Sequence, residues 1–311
     1  MDWLNYYNVQ SIRINGDDDR YVFHHLDSTG IYFWDRRKDI YVNIENANSC
    51  WWRRQSIRVN KLTNTNPSLR CDNSFDISPF VNSGNKWLSL EATRLREYIY
   101  KRLYAKIPIN LGMPSFDFNR LEIFILASEC GLLIPEFAII TNSSDIKRYK
   151  ELWGGCVSKA ISNGLYDEHG DNRYYTYTEL VSPFDKDIVL FPSLISKNIE
   201  KSFEIRSFYL NGEFYSMAIF SQTDELTRID YRKYANNRNE PFLLPKDIER
   251  KTNALFEKIG INTGSVDYMV DKSGDYYFLE INPVGQYGMT DFPCNYQLDC
   301  KIAKYLAYGR N

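Results

Sequence analysis

Asn211-Gly212 stands alone between two apolar runs, Phe203–Leu210 and Glu213–Gln222. Both turn residues tolerate positive φ, so the flanking runs are committed to an antiparallel hairpin closed by a tight turn. A second pair of strands, Gly264–Val270 and Asp275–Asn282, is joined by Lys272-Ser273-Gly274, and the helix Pro245–Ile259, closed by Gly260, precedes it. Cys156–Ile161 and Ile188–Phe191 read as further apolar strands around a polar, Gly- and Tyr-rich insertion, Asn163–Thr178, expected to be a loop. From Cys156 onward the pattern is therefore that of an α+β domain.

Upstream, Asp2–Asn8 reads as the end of a helix and Ser11–Asn15 as a short strand. Aromatic strands follow at Gly30–Trp34, Asp39–Ile44 and Asn48–Arg53. Leu88, Ala92, Leu95, Ile99 and Leu103 fall at helical spacing and predict an amphipathic helix over Leu88–Leu103. Pro108, Gly112 and Pro114 break that pattern, so Ile107–Phe118 is the expected linker and the domain boundary. Arg120–Cys130 predicts another helix, ended by Gly131, and Leu133–Thr141 a strand interrupted by Pro135.

A chain of 311 residues has room for about two packed domains at ~100–200 residues each. Thirty-eight Lys and Arg against 40 Asp and Glu give a formal charge of −2, without the global basic field of a non-specific nucleic-acid binder. Any anion site must be local. No apolar run approaches the ~18 residues of a membrane span, and Met1–Val9 carries Asp2 and no basic n-region. A cytoplasmic protein without nucleic-acid or membrane partner is expected. Six cysteines without a C-x-x-C pair fit reduced thiols. His24 and His25, adjacent on a strand, should point to opposite faces and make a poor shared metal site.

If Ser273-Gly274 is a two-residue loop, Lys272 pairs with Asp275, and Asp267 then lies opposite Glu280, with Asn282 two residues along the same face. Two carboxylates and an amide suit a hard cation such as Mg²⁺ whose other positions are filled by water and phosphate oxygens. The same residues would also serve as a solvated strand face with cross-strand polar pairs.

The apolar run carrying Glu280 and Asn282 is cut by Pro283 and Gly285 within YYFLEINPVGQYGM (Tyr276–Met289). With it stand CWWRR (Cys50–Arg54), GLLIPEFAIITN (Gly131–Asn142), VSKAIS (Val157–Ser162), FEIRSFYLNGEFYSMAIFSQ (Phe203–Gln222), IDYR (Ile229–Arg232) and GSVDYMVDKSGDYYFLEINPVGQYG (Gly264–Gly288). Together these motifs resemble the ATP-grasp peptide maturases that build graspetides, ribosomal peptides cross-linked by side-chain esters and amides, in particular the grasp-with-spasm branch.

The resemblance implies an α/β ATP-grasp fold: an N-terminal α/β domain over 1–114, a central lobe over 115–195 and a C-terminal lobe over 196–311. It implies ATP and Mg²⁺, with Asp267, Glu280 and Asn282 as metal ligands and Lys159 on the nucleotide phosphates. Adenine would lie against Ser196–Ile199, held by the Lys197 carbonyl and the Ile199 amide; where relatives carry Gln-Glu, this chain has Ser196-Lys197. Glu200 and Lys201 would lie near the ribose. Arg206 and Arg232 match the arginines that face the γ-phosphate and the acyl phosphate, where guanidinium groups can bridge two sets of anionic oxygens. Arg53-Arg54 matches a feature of the N-terminal domain and reads as structural or interfacial. The family begins with a strand before its first helix, which is expected either upstream of Met1 or missing.

The implied activity is an ADP-forming ligation. An Asp or Glu side chain of a precursor peptide, leader plus core, takes the γ-phosphoryl group, and a Ser or Thr hydroxyl or a Lys amine of the same peptide attacks the acyl phosphate. Relatives imply a homodimer that binds the leader near the Phe203–Gln222 hairpin. The alternatives are a glutamate-adding ligase of the ribosomal-protein-modifying type and a nucleotide- or peptide-binding module without turnover.

Overall fold

The computed structural model describes residues 1–15, 20–53, 81–114, 119–162, 164, 166–169, 172–176, 178–184, 186–221 and 237–309. They belong to two compact units, Met1–Ser115 with Asp299–Asn311, and Phe116–Leu298.

The first unit opens with α1 (Asp2–Tyr6) and an antiparallel sheet of β1 (Tyr21–Leu26), β2 (Ile31–Asp35) and β3 (Ile40–Asn43). Ile31, Phe33 and Asp35 alternate inward along β2, as a half-buried strand requires, and Arg20 holds the Asp35 carboxylate through Nε (3.2 Å) and Nη2 (3.0 Å). Then come β4 (Ser49–Trp52), the long helix α2 (Val81–Lys106) and β5 (Ile109–Gly112). The last helix, α7 (Leu298–Tyr308), lies in this unit from Asp299 on, and Tyr7 Oη meets Cys300 Sγ at 3.3 Å.

Three expectations need correction in this unit. Ser11–Asn15 forms no strand. The expected linker holds β5, which pairs in parallel with β4 because Leu111 is fully buried and Asn110 Oδ1 accepts from Trp52 Nε1 at 2.7 Å. Pro108 stands just outside that strand, where no ladder N–H is needed, and Gly112, at φ +77°, ends it. The adjacent histidines come together instead of diverging. A bulge between Phe23 and His25 cancels the alternation, leaving the two Nδ1 atoms 2.6 Å apart and the His25 ring stacked on Tyr32.

The second unit contains α3 (Arg120–Glu129), β6 (Phe137–Asn142), α4 (Ser144–Trp153), β7 (Cys156–Ser158), β8 (Tyr166–His169), β9 (Asn172–Tyr175), β10 (Glu179–Leu180) and β11 (Val189–Lys197). Then follow β12 (Lys201–Leu210), β13 (Glu213–Phe220), β14 (Arg238–Phe242), α5 (Lys246–Ile259), β15 (Thr263–Asp271), β16 (Tyr276–Asn282) and α6 (Gly288–Cys294). One sheet has the order β10-β7-β11-β6, another the order β14-β13-β12-β15-β16, and β8 pairs with β9. Helix α4 was not expected; Ser143 starts it and Gly154, left-handed at φ 77°, ends it. Strand β11 runs past the expected Phe191, through Pro192, with a register shift between Val189 and Ser193.

The hairpin of β12 and β13 turns at Asn211 (φ 48°) and Gly212 (φ 100°), the positive pair that the sequence predicts. Period two then divides the five-stranded sheet. Tyr209 stacks on Phe256 of α5 at 4.0 Å, and Tyr268 shares a 2.5 Å hydrogen bond with Thr252 of the same helix. Burial there raises the Tyr268 pKa. Glu204, Arg206, Asp267 and Met269 alternate with these residues and belong to the opposite face.

In the first unit, Glu45 is buried and receives hydrogen bonds from Arg102 and, at 2.9 Å, from Lys106. Burial alone would raise its pKa, but the hydrogen bonds and charges of Arg102 and Lys106 outweigh it and hold the carboxyl below its ordinary value. A depressed folded pKa contributes stability above the ordinary carboxylate pKa, which is lost as pH falls through the folded value. Glu45→Gln should therefore lower stability at pH 7 by about 2 kcal/mol. Urea melts at pH 7 and pH 3 should show that gap closing in acid; an equal gap at both pH values would refute it.

Candidate active site

A cleft of about 270 Å³ runs between the two larger sheets of the second unit. Its walls include the end of β7 with Lys159, the segment from Ser196 to Ile199, and the polar face of β12, β15 and β16. Of the residues expected at the site, Lys159, Ser196, Lys197, Ile199, Lys201, Arg206, Asp267, Glu280 and Asn282 all line it. Glu200 is not among the lining residues. It turns outward, where its carboxylate meets Lys272 Nζ at 2.8 Å with both side chains exposed. Arg232 lies outside the described residues, as does Arg54.

The strand pair that carries the carboxylates is built differently from the expectation. Asp271, not Lys272, faces Asp275: its N–H donates to the Asp275 carbonyl at 3.1 Å, around a three-residue loop with Gly274 at φ 87°. Asp271 Oδ1 secures the turn by accepting from the Ser273 and Asp275 N–H groups at 2.8 and 2.9 Å. Continued regularly, that register would set Asp267 opposite Leu279. A register shift between Asp267 and Tyr268 leaves Leu279 as an extra residue, and Asp267 pairs with Glu280 and Ser265 with Asn282. The expected pairing of Asp267 with Glu280 therefore holds, because the bulge compensates for the longer loop.

Glu280 bonds two cations from other elements. Its Oε2 accepts from Lys159 Nζ at 2.6 Å and from Arg120 Nη2 at 3.0 Å. Arg120 also donates through Nη1 to the Ala160 carbonyl, tying the chain after Lys159 to the start of α3. Sequence reasoning missed Arg120, although there was a signal. It is the first residue of a helix capped by Asn119, a position where the macrodipole disfavours a cation. Arg206 faces Asp267 directly across β12 and β15, Nη1 to Oδ2 3.4 Å.

Glu204 was not expected at the site. A register shift between Lys201 and Phe203 brings Lys201 and Glu204 together as a buried ion pair in the cleft, with Ser221 Oγ 3.4 Å from the Glu204 carboxylate. Lys197 Nζ meets Glu136 at 2.9 Å, and this hydrogen bond raises the lysine pKa, so the side chain stays charged.

Two carboxylates and an amide oxygen, aligned on neighbouring strands, are a donor set for a hard cation such as Mg²⁺. Among the described residues no group of three or more His, Cys, Asp or Glu side chains is placed to hold a metal. An ion at Asp267, Glu280 and Asn282 would therefore take its remaining oxygens from ligand or water.

No protein-family model and no curated protein matches the chain. Solved structures do. A RiPP-associated ATP-grasp ligase of Chryseobacterium gregarium, in complex with ADP and a leader and core peptide, is 22% identical with a TM-score of 0.72, over 98% of this chain and 90% of that one. The macrocyclase MdnC of Microcystis aeruginosa, bound with precursor peptide MdnA, is 21% identical with a TM-score of 0.70, over 99% and 94%. The ATP-grasp ligase PsnB, complexed with minimal precursor, Mg and ADP, is 12% identical with a TM-score of 0.67, over 98% and 91%. This chain has the ATP-grasp fold that the sequence motifs imply.

In the loop that leaves β16 for α6, Gly285 packs against Gly264 of β15. At Gly285 (φ +57°) a Cβ would stand 2.8 Å from the Phe208 ring and 3.4 Å from Gly264 Cα. Gly260 is also left-handed (φ +81°), but nothing lies within 4 Å of its Cβ position. Gly260→Ala should cost only the conformational term, about 1 kcal/mol, whereas Gly285→Ala adds overpacking and should cost about 2–4 kcal/mol. Equal losses in calorimetric unfolding would show that the loop is not held in this way.

Proposed function

We propose that this chain is an ATP-dependent, ADP-forming ligase that closes ester or amide bonds between side chains of a ribosomally made precursor peptide. The observation that carries the proposal is the convergence of Asp267, Glu280 and Asn282 with Lys159 and Arg206 on one cleft of an ATP-grasp fold, with Arg120 bonded to Glu280. The bound peptides and ADP of the similar structures support the substrate class.

In this reading the adenine lies against Ser196–Ile199, and Lys201 and Glu204, buried in the same cleft, contact the nucleotide beyond it. Lys159 and Arg120 supply positive charge to the phosphates. Asp267, Glu280 and Asn282 would hold Mg²⁺, which supplies charge neutralisation to the phosphoryl oxygens. Arg206, assisted by Arg232, brings the acceptor carboxylate of the peptide to the γ-phosphate. The carboxylate oxygen attacks phosphorus and ADP leaves. A hydroxyl or amine of the same peptide then attacks the acyl phosphate, loses its proton and expels inorganic phosphate. Fixed guanidinium groups lower the cost of bringing two anions together and stabilise the charge that moves between them. The same proposal includes a central lobe over 115–195 and a C-terminal lobe from 196, cytoplasmic action, and a homodimer that holds the leader near the β12–β13 hairpin.

The direct test is mass balance. With the precursor peptide encoded beside it, ATP and magnesium, the protein should remove one water per bond closed and release one ADP for each, and ester bonds should reopen in mild base. A gain in peptide mass would indicate a glutamate-adding ligase, an unmodified peptide with bound ATP a non-catalytic module, and AMP release would contradict an acyl phosphate.

Two substitutions separate the roles. Glu280→Gln should lower turnover by about 10²–10³-fold, as loss of a group acting on developing charge does, with the fold and peptide affinity retained. Arg206→Ala should lower turnover while leaving nucleotide affinity, read by calorimetry, within about threefold, because an interaction made mainly in the transition state shows in rate and not in ground-state binding. Near-normal turnover of the first variant, or a loss in the second fully explained by weaker nucleotide binding, would overturn the respective assignment.

A further inference from the structure

Helix α6 buries Cys294 against Met217 and Ile219, but it also buries polar residues and exposes its large apolar ones. Its polar residues Thr290 and Asp291 are 0% and 5% exposed, and Asp291 Oδ1 accepts from the Leu298 N–H at 2.9 Å. Its large apolar side chains point out, Met289 at 41% and Phe292 at 79% exposure. The Phe292 ring folds back over Gly288, 3.0 Å from where a Cβ would stand, so the absence of a side chain at Gly288 gives the ring its seat. A lone exposed phenylalanine needs no explanation, but a helix that buries its polar residues and presents its apolar ones does.

The position of this face indicates what covers it. Gln286 and Met289 line the cleft together with Asn282, Glu280 and Arg206, and Phe292 follows Met289 by three residues on the same outward side. Met289 thus stands at the cleft wall, and Phe292, about one turn on, extends its apolar side away from the cleft toward solvent. A nucleotide carries no apolar extension toward it. A peptide whose acceptor carboxylate meets Arg206 must leave the cleft as a chain, and an apolar side chain near the acceptor would find Met289 and Phe292 beneath it.

We propose that Met289 and Phe292 form the track for the core segment of the peptide substrate and select an apolar residue within about three positions of the acceptor Asp or Glu. One helical turn is about 5 Å and an extended residue spans about 3.3 Å, which sets that range. This inference rests on the peptide-ligase reading above.

The test uses the peptide that the wild type dehydrates and a second peptide with the apolar residue beside the acceptor changed to Ser. Phe292→Ser should raise the KM for the first peptide about tenfold, the worth of a buried apolar contact, with the KM for ATP within about twofold and kcat retained. Phe292→Leu should keep the KM for the peptide near that of the wild type. The Ser-bearing peptide should be poorer for the wild type by a similar factor and lose little more with Phe292→Ser, because both changes delete the same contact. An unchanged peptide KM in Phe292→Ser, an equal weakening of ATP, or full additivity of the two changes would overturn the track while leaving the ligase reading intact. Failure of the wild type to dehydrate any peptide would remove the ligase reading, and the track with it.

Discussion

One carboxylate oxygen organises the second unit. Glu280 Oε2 takes a hydrogen bond from Lys159, beyond the end of β7, and another from Arg120, at the start of α3. A strand of the five-stranded sheet, the chain leaving the four-stranded sheet and a helix N-terminus are therefore joined at one atom. A partly buried carboxylate needs charge-assisted partners, and a cation in the first turn of a helix works against the macrodipole unless an anion is close by. Removing the Glu280 charge would leave two cations facing each other across the cleft wall.

The residues that meet there were largely legible in the sequence, but for reasons that were only partly right. Turn residues and period two predict the two strand pairs, and they do so because positive φ and side-chain alternation are local properties. They cannot reveal where a strand inserts an extra residue. The Lys272–Gly274 loop is one residue longer than expected and Leu279 is bulged, so two unseen departures cancel and leave Asp267 opposite Glu280. No such cancellation occurs in β1, where a bulge turns His24 and His25 onto each other. Bulges also account for the missed Glu204, which the irregularity at Ser202 brings to Lys201.

Other omissions are tertiary. Within the expected linker, Ile109–Gly112 is too short to register as a strand until β4 is beside it, and Arg120 acquires its meaning from residues distant in the chain. The resemblance of the motifs to a peptide-maturing family identified the ATP-grasp fold where composition offered no more than an α+β arrangement.

The two faces of the five-stranded sheet differ in polarity. On the side of α5, β12 and β15 present Tyr209 and Tyr268 against Phe256 and Thr252, close packing with each hydroxyl satisfied. On the other side the same central strands bury Lys201, Glu204 and Arg206 with Asp267 opposite. Well-packed apolar residues at those positions would often stabilise a sheet as well or better, since buried ion pairs seldom recover their full desolvation cost. Helix α6, on this second side, repeats the inversion by burying Thr290 and Asp291 and exposing Phe292. The buried charges Lys201, Glu204, Arg206 and Asp267 all line the one cleft, and Met289 of α6 stands beside them, which is where the proposed nucleotide and peptide would lie.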